Sequence, residues 1–147
     1  MTGINKITRD DVSGFASAAK RNAANIDHYQ QIATKSAIYP GSGTPLGLAY
    51  VALKLNGEAG EFAEHVGKAM RDDGLMCDGT MEHDWYGSPL TPERRKLIIK
   101  EIGDVLWYLS AACNELNISL SEAALTNLEK LCDRSERDAL RGSGDER

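Results

Sequence analysis

The sequence predicts an all-α fold, an antiparallel helical bundle of four to five helices. Three observations point there. Apolar residues recur at helical spacing through most of the chain, helix-capping signals punctuate it, and the alternating pattern of a strand is almost absent. At 147 residues, 41% of them hydrophobic and 27% charged, the chain has the material for one core. The expectation is a single domain over residues 1–147, with a flexible arm from about residue 138 where glycines collect.

Thr8 is placed to cap a first helix, with Asp10 and Asp11 near the positive end of its dipole. Helical character runs on through Ala16 to Ala24 and through Ile26, Tyr29, Ile32, Ala33 and Ser36, as one helix or two. It stops at Tyr39-Pro40-Gly41-Ser42-Gly43. Thr44-Pro45 starts the next helix, which reaches about Arg71 and carries Leu48, Val51, Ala52, Leu55, Phe62 and Val66. From Asp72 to Ser88 the periodicity disappears among glycines and aspartates, with Trp85-Tyr86 near the end. A loop this long is either a lid over a bound molecule or a disordered segment. Thr91-Pro92 starts a strong helix to about Leu116, and Ser119-Leu120-Ser121-Glu122 reads as a capping box for the last one.

Composition excludes several functions. Seventeen Lys and Arg against twenty-two Asp and Glu give a net charge of −5, with no basic block to grip a nucleic-acid backbone. No apolar run approaches the roughly 20 residues that cross a bilayer, and the N-terminus lacks the apolar stretch of a signal peptide. Cys77, Cys113 and Cys132 make no CxxC pair, which fits a reduced, cytoplasmic protein without structural zinc; Cys113 and Cys132 sit at packing positions.

Two segments place acids on apolar helix faces. In Gly57-Glu58-Ala59-Gly60-Glu61-Phe62, and again in Glu101-Ile102-Gly103-Asp104, two carboxylates stand three residues apart and project from one side of a helix. Acids at this spacing are also common on solvated helices. Apolar and glycine neighbours favour the interior instead, where four carboxylates repel unless a cation sits among them. Oxygen-only ligands suit Mg²⁺, with Mn²⁺ as the alternative. A di-iron bundle would need Glu-x-x-His pairs, and His65 lies four residues after Glu61, as a packing histidine beside the ligands would.

The ordered pair Glu58-x-x-Glu61 and Glu101-x-x-Asp104 resembles the ExxE…ExxD signature of the MazG-like, all-α nucleoside triphosphate pyrophosphohydrolases. Their flanks, Asn127-Leu128-Glu129-Lys130-Leu131, and Tyr29 to Pro40 resemble that family too, over roughly residues 26–147. The gap between Glu61 and Glu101 is longer than the family's usual spacing. The resemblance implies hydrolysis of a nucleoside triphosphate to monophosphate and pyrophosphate, in a homodimer or homotetramer. Glu58, Glu61, Glu101 and Asp104 would hold the metal, and Glu61 would orient or deprotonate the attacking water. Lys68 and Lys130 would meet phosphate, Asn127 the sugar or base, and Tyr108 the ribose or base. Trp85 is the better candidate for base stacking, whereas Trp107 suits the core. Gly57 and Gly60 either leave the helix surface open beside the ligands or permit close helix packing. The rival from another class is a non-catalytic helical interaction module with a structural divalent cation.

Overall fold

The computed structural model describes residues 8–21, 26–73 and 90–137. Among them are five α-helices and no strand: α1 (Arg9–Arg21), α2 (Ile26–Ala33), α3 (Pro45–Asp72), α4 (Pro92–Glu115) and α5 (Leu120–Glu136). The all-α expectation holds. The region between Thr8 and Ser36 forms two helices, and the second ends earlier than the sequence suggests. A short 3₁₀ turn, Thr34–Ser36, follows α2, and Ala37 is extended. The glycine-rich arm from residue 138 lies outside the described residues, and so does the 74–89 part of the long loop.

The capping residues act where the sequence puts them. The Thr8 hydroxyl accepts from the Asp11 amide at 3.2 Å, while the Asp11 carboxylate accepts from the Thr8 amide at 2.9 Å. Thr44 accepts from Leu46 N–H, Thr91 from Arg94 N–H and Ser119 from Glu122 N–H. Each satisfies a donor that the first helical turn leaves unpaired.

Two compact units result, Met1–Ala37 with Leu116–Arg147, and Ile38–Glu115. In the first, Val12, Leu120 and Cys132 are buried. Here α2 completes the cap of α5. Gln30 accepts from Leu120 N–H at 2.7 Å and donates to the Ile118 carbonyl at 3.0 Å, while Asp27 accepts from Ser121 N–H at 2.8 Å. Arg9 of α1 forks onto Glu136 and also pairs with Asp133. That clamp is solvent-exposed, so it fixes register more than it stabilises.

The second unit is a hairpin of α3 and α4. Its antiparallel sense follows from its two ends. Glu115, closing α4, accepts from Gly43 N–H just ahead of α3 at 2.9 Å. Arg94, in the first turn of α4, pairs with Asp73 just beyond α3, Nε to Oδ2 at 2.6 Å, and both side chains are largely buried. Val51 and Ala69 of α3 and Ser110, Ala111 and Cys113 of α4 are buried in this unit. The turn into α3 needs glycine. Gly41 and Gly43 have φ of +73° and +76°, and a Cβ on Gly47 would lie 2.5 Å from the Gly41 carbonyl and 2.8 Å from Glu115 Oε2.

Two outcomes are expected from this architecture. Gln30→Ala strands the buried Leu120 amide, so urea unfolding should show a loss of about 1–3 kcal/mol. The second concerns acid. Hydrogen bonds from Tyr39, the Gly43 amide and Ser42 hold the Glu115 carboxyl below its ordinary value of 4.5. A depressed carboxyl contributes stability above that value and loses it as pH falls through its folded-state value. Acid melting curves of Glu115→Gln should therefore fall less steeply below pH 4.5 than those of the wild type.

Candidate active site

Antiparallel pairing of α3 with α4 brings the two acidic motifs face to face. One carboxylate oxygen from each of Glu58, Glu101 and Asp104 lies within 4.8 Å of the others. Near a protein surface, two unit charges about 4 Å apart repel by about 4 kcal/mol. Three such groups therefore form a site that a cation would relieve. Glu101 is the deepest, with its side chain 3% exposed. Its Oε1 lies 3.8 Å from His65 Nε2 and 3.7 Å from Lys100 Nζ, and its buried Oε2 has no hydrogen-bond partner among the described residues. A carboxylate oxygen left in that state is costly unless a further ligand meets it. His65 thus sits beside the acids, as its spacing suggests.

Glu58 and Asp104 are half-buried, and Glu61 is exposed and outside the close trio. Loss of solvent pushes the Glu58 carboxyl up, and the charges of Glu61 and Asp104 push it further. Lys54 opposes them. Glu61 is thus felt electrostatically at the site without joining its closest cluster. The backbone beside these acids is open. A Cβ at Gly57, Gly60 or Gly103 would meet nothing within 4 Å, which favours the open helix surface over close helix packing at Gly57 and Gly60.

Glu58 and Asp104 form one side of a cleft of about 380 Å³ whose other lining residues are Trp107 and Tyr108. The two rings meet edge to face, centroids 4.8 Å apart at 81°. Behind them Tyr39 stacks on Tyr50 at 5.7 Å and meets Trp107 edge-on at 6.4 Å. Burial, the largest influence on Tyr108, raises its phenol above the ordinary value, with Lys54 opposing and Glu58 adding to the rise. Tyr108 therefore remains a neutral hydrogen-bond donor near neutral pH.

Trp107 is a correction to the core role that its helical position suggested. It is half-buried and forms a wall of the cleft. Lys54 was missed altogether, although it lies four residues before Glu58, one turn away on the same face. Lys68 is on α3 but pairs with Glu64, Nζ to Oε1 at 2.6 Å. Asn127 and Lys130 are exposed on α5, in the other compact unit. Trp85 falls outside the described residues.

Residues 48–137 match the MazG nucleotide pyrophosphohydrolase domain. The chain belongs to the MazG family. The match takes in both acidic motifs, the aromatic residues Trp107 and Tyr108, and all of α5. The chain is also similar to the Gene 37 protein of Mycobacterium phage L5, 40% identical over 127 residues that cover 84% of this chain and 99% of that protein. No solved structure matches. A MazG domain is a nucleotide pyrophosphohydrolase domain, and its all-α architecture is the one described above.

Charge crowding at the trio has a measurable consequence. Glu101→Gln removes one buried negative charge while keeping the shape of the side chain. In the presence of a chelator its melting temperature should rise, by about 3–5 °C for each kcal/mol of repulsion removed. A fall in that melting temperature would show that Glu101 is held as a carboxylate by its neighbours alone.

Proposed function

We propose that this MazG-family protein hydrolyses a nucleoside triphosphate to the monophosphate and pyrophosphate in a Mg²⁺-dependent reaction, with Mn²⁺ as the alternative ion. The observation that carries the reading is the convergence of Glu58, Glu101 and Asp104 beside a cleft walled by two aromatic rings. An all-oxygen ligand set with an unpartnered buried oxygen on Glu101 fits a hard divalent cation. When bound, such an ion neutralises phosphate charge and lowers the pKa of a coordinated water.

The chain's own residues then have distinct tasks. Glu58, Glu101 and Asp104 hold the ion, with Glu61 completing the set. Glu61, exposed and one turn from Glu58, is suited to take the proton of the attacking water. Water adds to the α- or β-phosphorus and the bridging α–β P–O bond breaks. Its electrons leave on the departing phosphate, giving monophosphate and pyrophosphate. Trp107 and Tyr108 offer faces and edges to the base and ribose, where one aromatic stack contributes about 1–3 kcal/mol. Lys54, close enough to influence both Glu58 and Tyr108, is placed for a phosphate. Lys68 and Lys130 are the candidates for phosphate, Trp85 for base stacking and, by resemblance, Asn127 for the sugar or base. Exposed Leu53, Phe62, Ile99 and Ile102 on α3 and α4 supply an apolar surface for the homodimer or homotetramer that the resemblance implies. Among the described residues no helix is long and apolar enough to cross a membrane, and a cytoplasmic location is part of the reading.

The test is a panel of nucleoside triphosphates with Mg²⁺, analysed for all phosphate products. Monophosphate and pyrophosphate should appear together and vanish with EDTA. Asp104→Asn should reduce kcat on the order of a hundredfold or more while circular dichroism remains helical. Diphosphate with orthophosphate would place cleavage at the β–γ bond and reject this chemistry. Mg²⁺ binding without turnover would favour the interaction module with a structural cation.

A further inference from the structure

Glu115 belongs to neither acidic motif, yet its carboxylate accepts three hydrogen bonds. Oε1 accepts from the Tyr39 hydroxyl at 2.6 Å and the Ser42 hydroxyl at 3.2 Å, and Oε2 accepts from Gly43 N–H at 2.9 Å. It lies eleven residues beyond Asp104 on α4, about 16 Å along the helix axis. Glu115 is not among the residues that line the cleft. Its reach toward the cleft runs instead through rings. Tyr39, gripped at its hydroxyl, lies flat on Tyr50 at 10° and edge-on to Trp107 at 87°. Trp107 in turn meets Tyr108 at 81°, and these last two line the cleft with Glu58 and Asp104.

We propose that Glu115 is a positioning residue for nucleotide binding, acting through Tyr39 to fix the orientation of Trp107 and Tyr108. The proposal rests on the reading of this cleft as a nucleotide site. Its physical basis is the strength of a short hydrogen bond from a phenol to a carboxylate. Edge-to-face and stacked contacts have preferred geometries, but each pair is weakly held and several offsets of the rings lie close in energy. One charge-assisted bond at the far end of Tyr39 removes that freedom. Without it the Tyr39 ring keeps its neighbours but loses its fixed register against Trp107. The wall that a base would stack on then samples several orientations, and binding weakens while the carboxylate trio stays in place. Glu115 thereby acts on substrate affinity and leaves the chemical step alone.

Tyr39→Phe is the decisive variant, since it retains the ring and deletes only the hydroxyl. Glu115→Gln is the second, retaining an acceptor while removing the charge. Both are measured for kcat and KM on the best nucleoside triphosphate of the panel, after circular dichroism confirms the helical fold. Tyr39→Phe should raise KM on the order of tenfold with kcat within about twofold of the wild type. In a Trp107→Ala background the same change should add almost nothing, because the ring it positions is gone.

A lowered melting temperature with unchanged KM in both variants would make Glu115 a loop anchor only and overturn the proposal. So would a fall in kcat equal to the fall in kcat/KM, or a full effect of Tyr39→Phe in the Trp107→Ala background. The chain has two tryptophans, Trp85 and Trp107, so a Trp85→Phe background isolates the emission of Trp107. If the wild type turns over no triphosphate, the nucleotide reading fails by itself. The emission then judges the clamp separately: a shift on Tyr39→Phe supports the coupling, and an unchanged spectrum overturns it.

Discussion

Everything in the α3–α4 unit is organised around an unfavourable contact. Glu58, Glu101 and Asp104, three acidic side chains, are driven together by the antiparallel pairing of two long helices. Helix pairing wins because it rests on burial along the whole hairpin, from Val51 to Ala69 and from Ser110 to Cys113, while the repulsion acts at one point. The trio is therefore set by the helical frame that carries it. His65 Nε2 lies 3.8 Å and Lys100 Nζ 3.7 Å from Glu101 Oε1, each too far for a hydrogen bond.

The elements were legible because their signals are local. Thr44-Pro45, Thr91-Pro92 and Ser119 are caps read within four residues, and the acidic pairs are read within one helical turn. The convergence of Glu58 with Glu101 and Asp104 could be expected from the apolar setting of both motifs, since two helices bury such faces only against each other. The early end of α2 at Ala33 was not legible. Residues 34–36 continue as a 3₁₀ turn and Ala37 is extended, three residues ahead of Pro40, where helical composition alone gives no sign of the change. Trp107 deceived for a related reason. A tryptophan flanked by Leu106 and Tyr108 on a helix is usually packing, but here its ring meets Tyr39 and Tyr108 and lines the cleft. Lys54 offered a signal that went unread, its four-residue spacing from Glu58.

The other unit solves a different problem with polar groups. The N-terminus of α5 is buried at Leu120, so its amides cannot be left to water. Gln30 and Asp27 supply the missing acceptors from a helix ninety residues earlier in the chain. That makes α2 a part of α5's termination as much as an element in its own right. Such long-range capping supplements a small apolar contact, since among the described residues of this unit Val12, Leu120 and Cys132 are the buried apolar side chains.

The buried Arg94–Asp73 pair has a consequence for how the sequence can vary. It closes the hairpin at the end where α3 leaves off and α4 begins, while Glu115 and Gly43 close the opposite end. With both ends pinned, the register that sets Glu58 against Asp104 does not depend on the residues joining the two helices. Substitutions at these four residues, none of which belongs to an acidic motif, thus bear on the carboxylates from a distance.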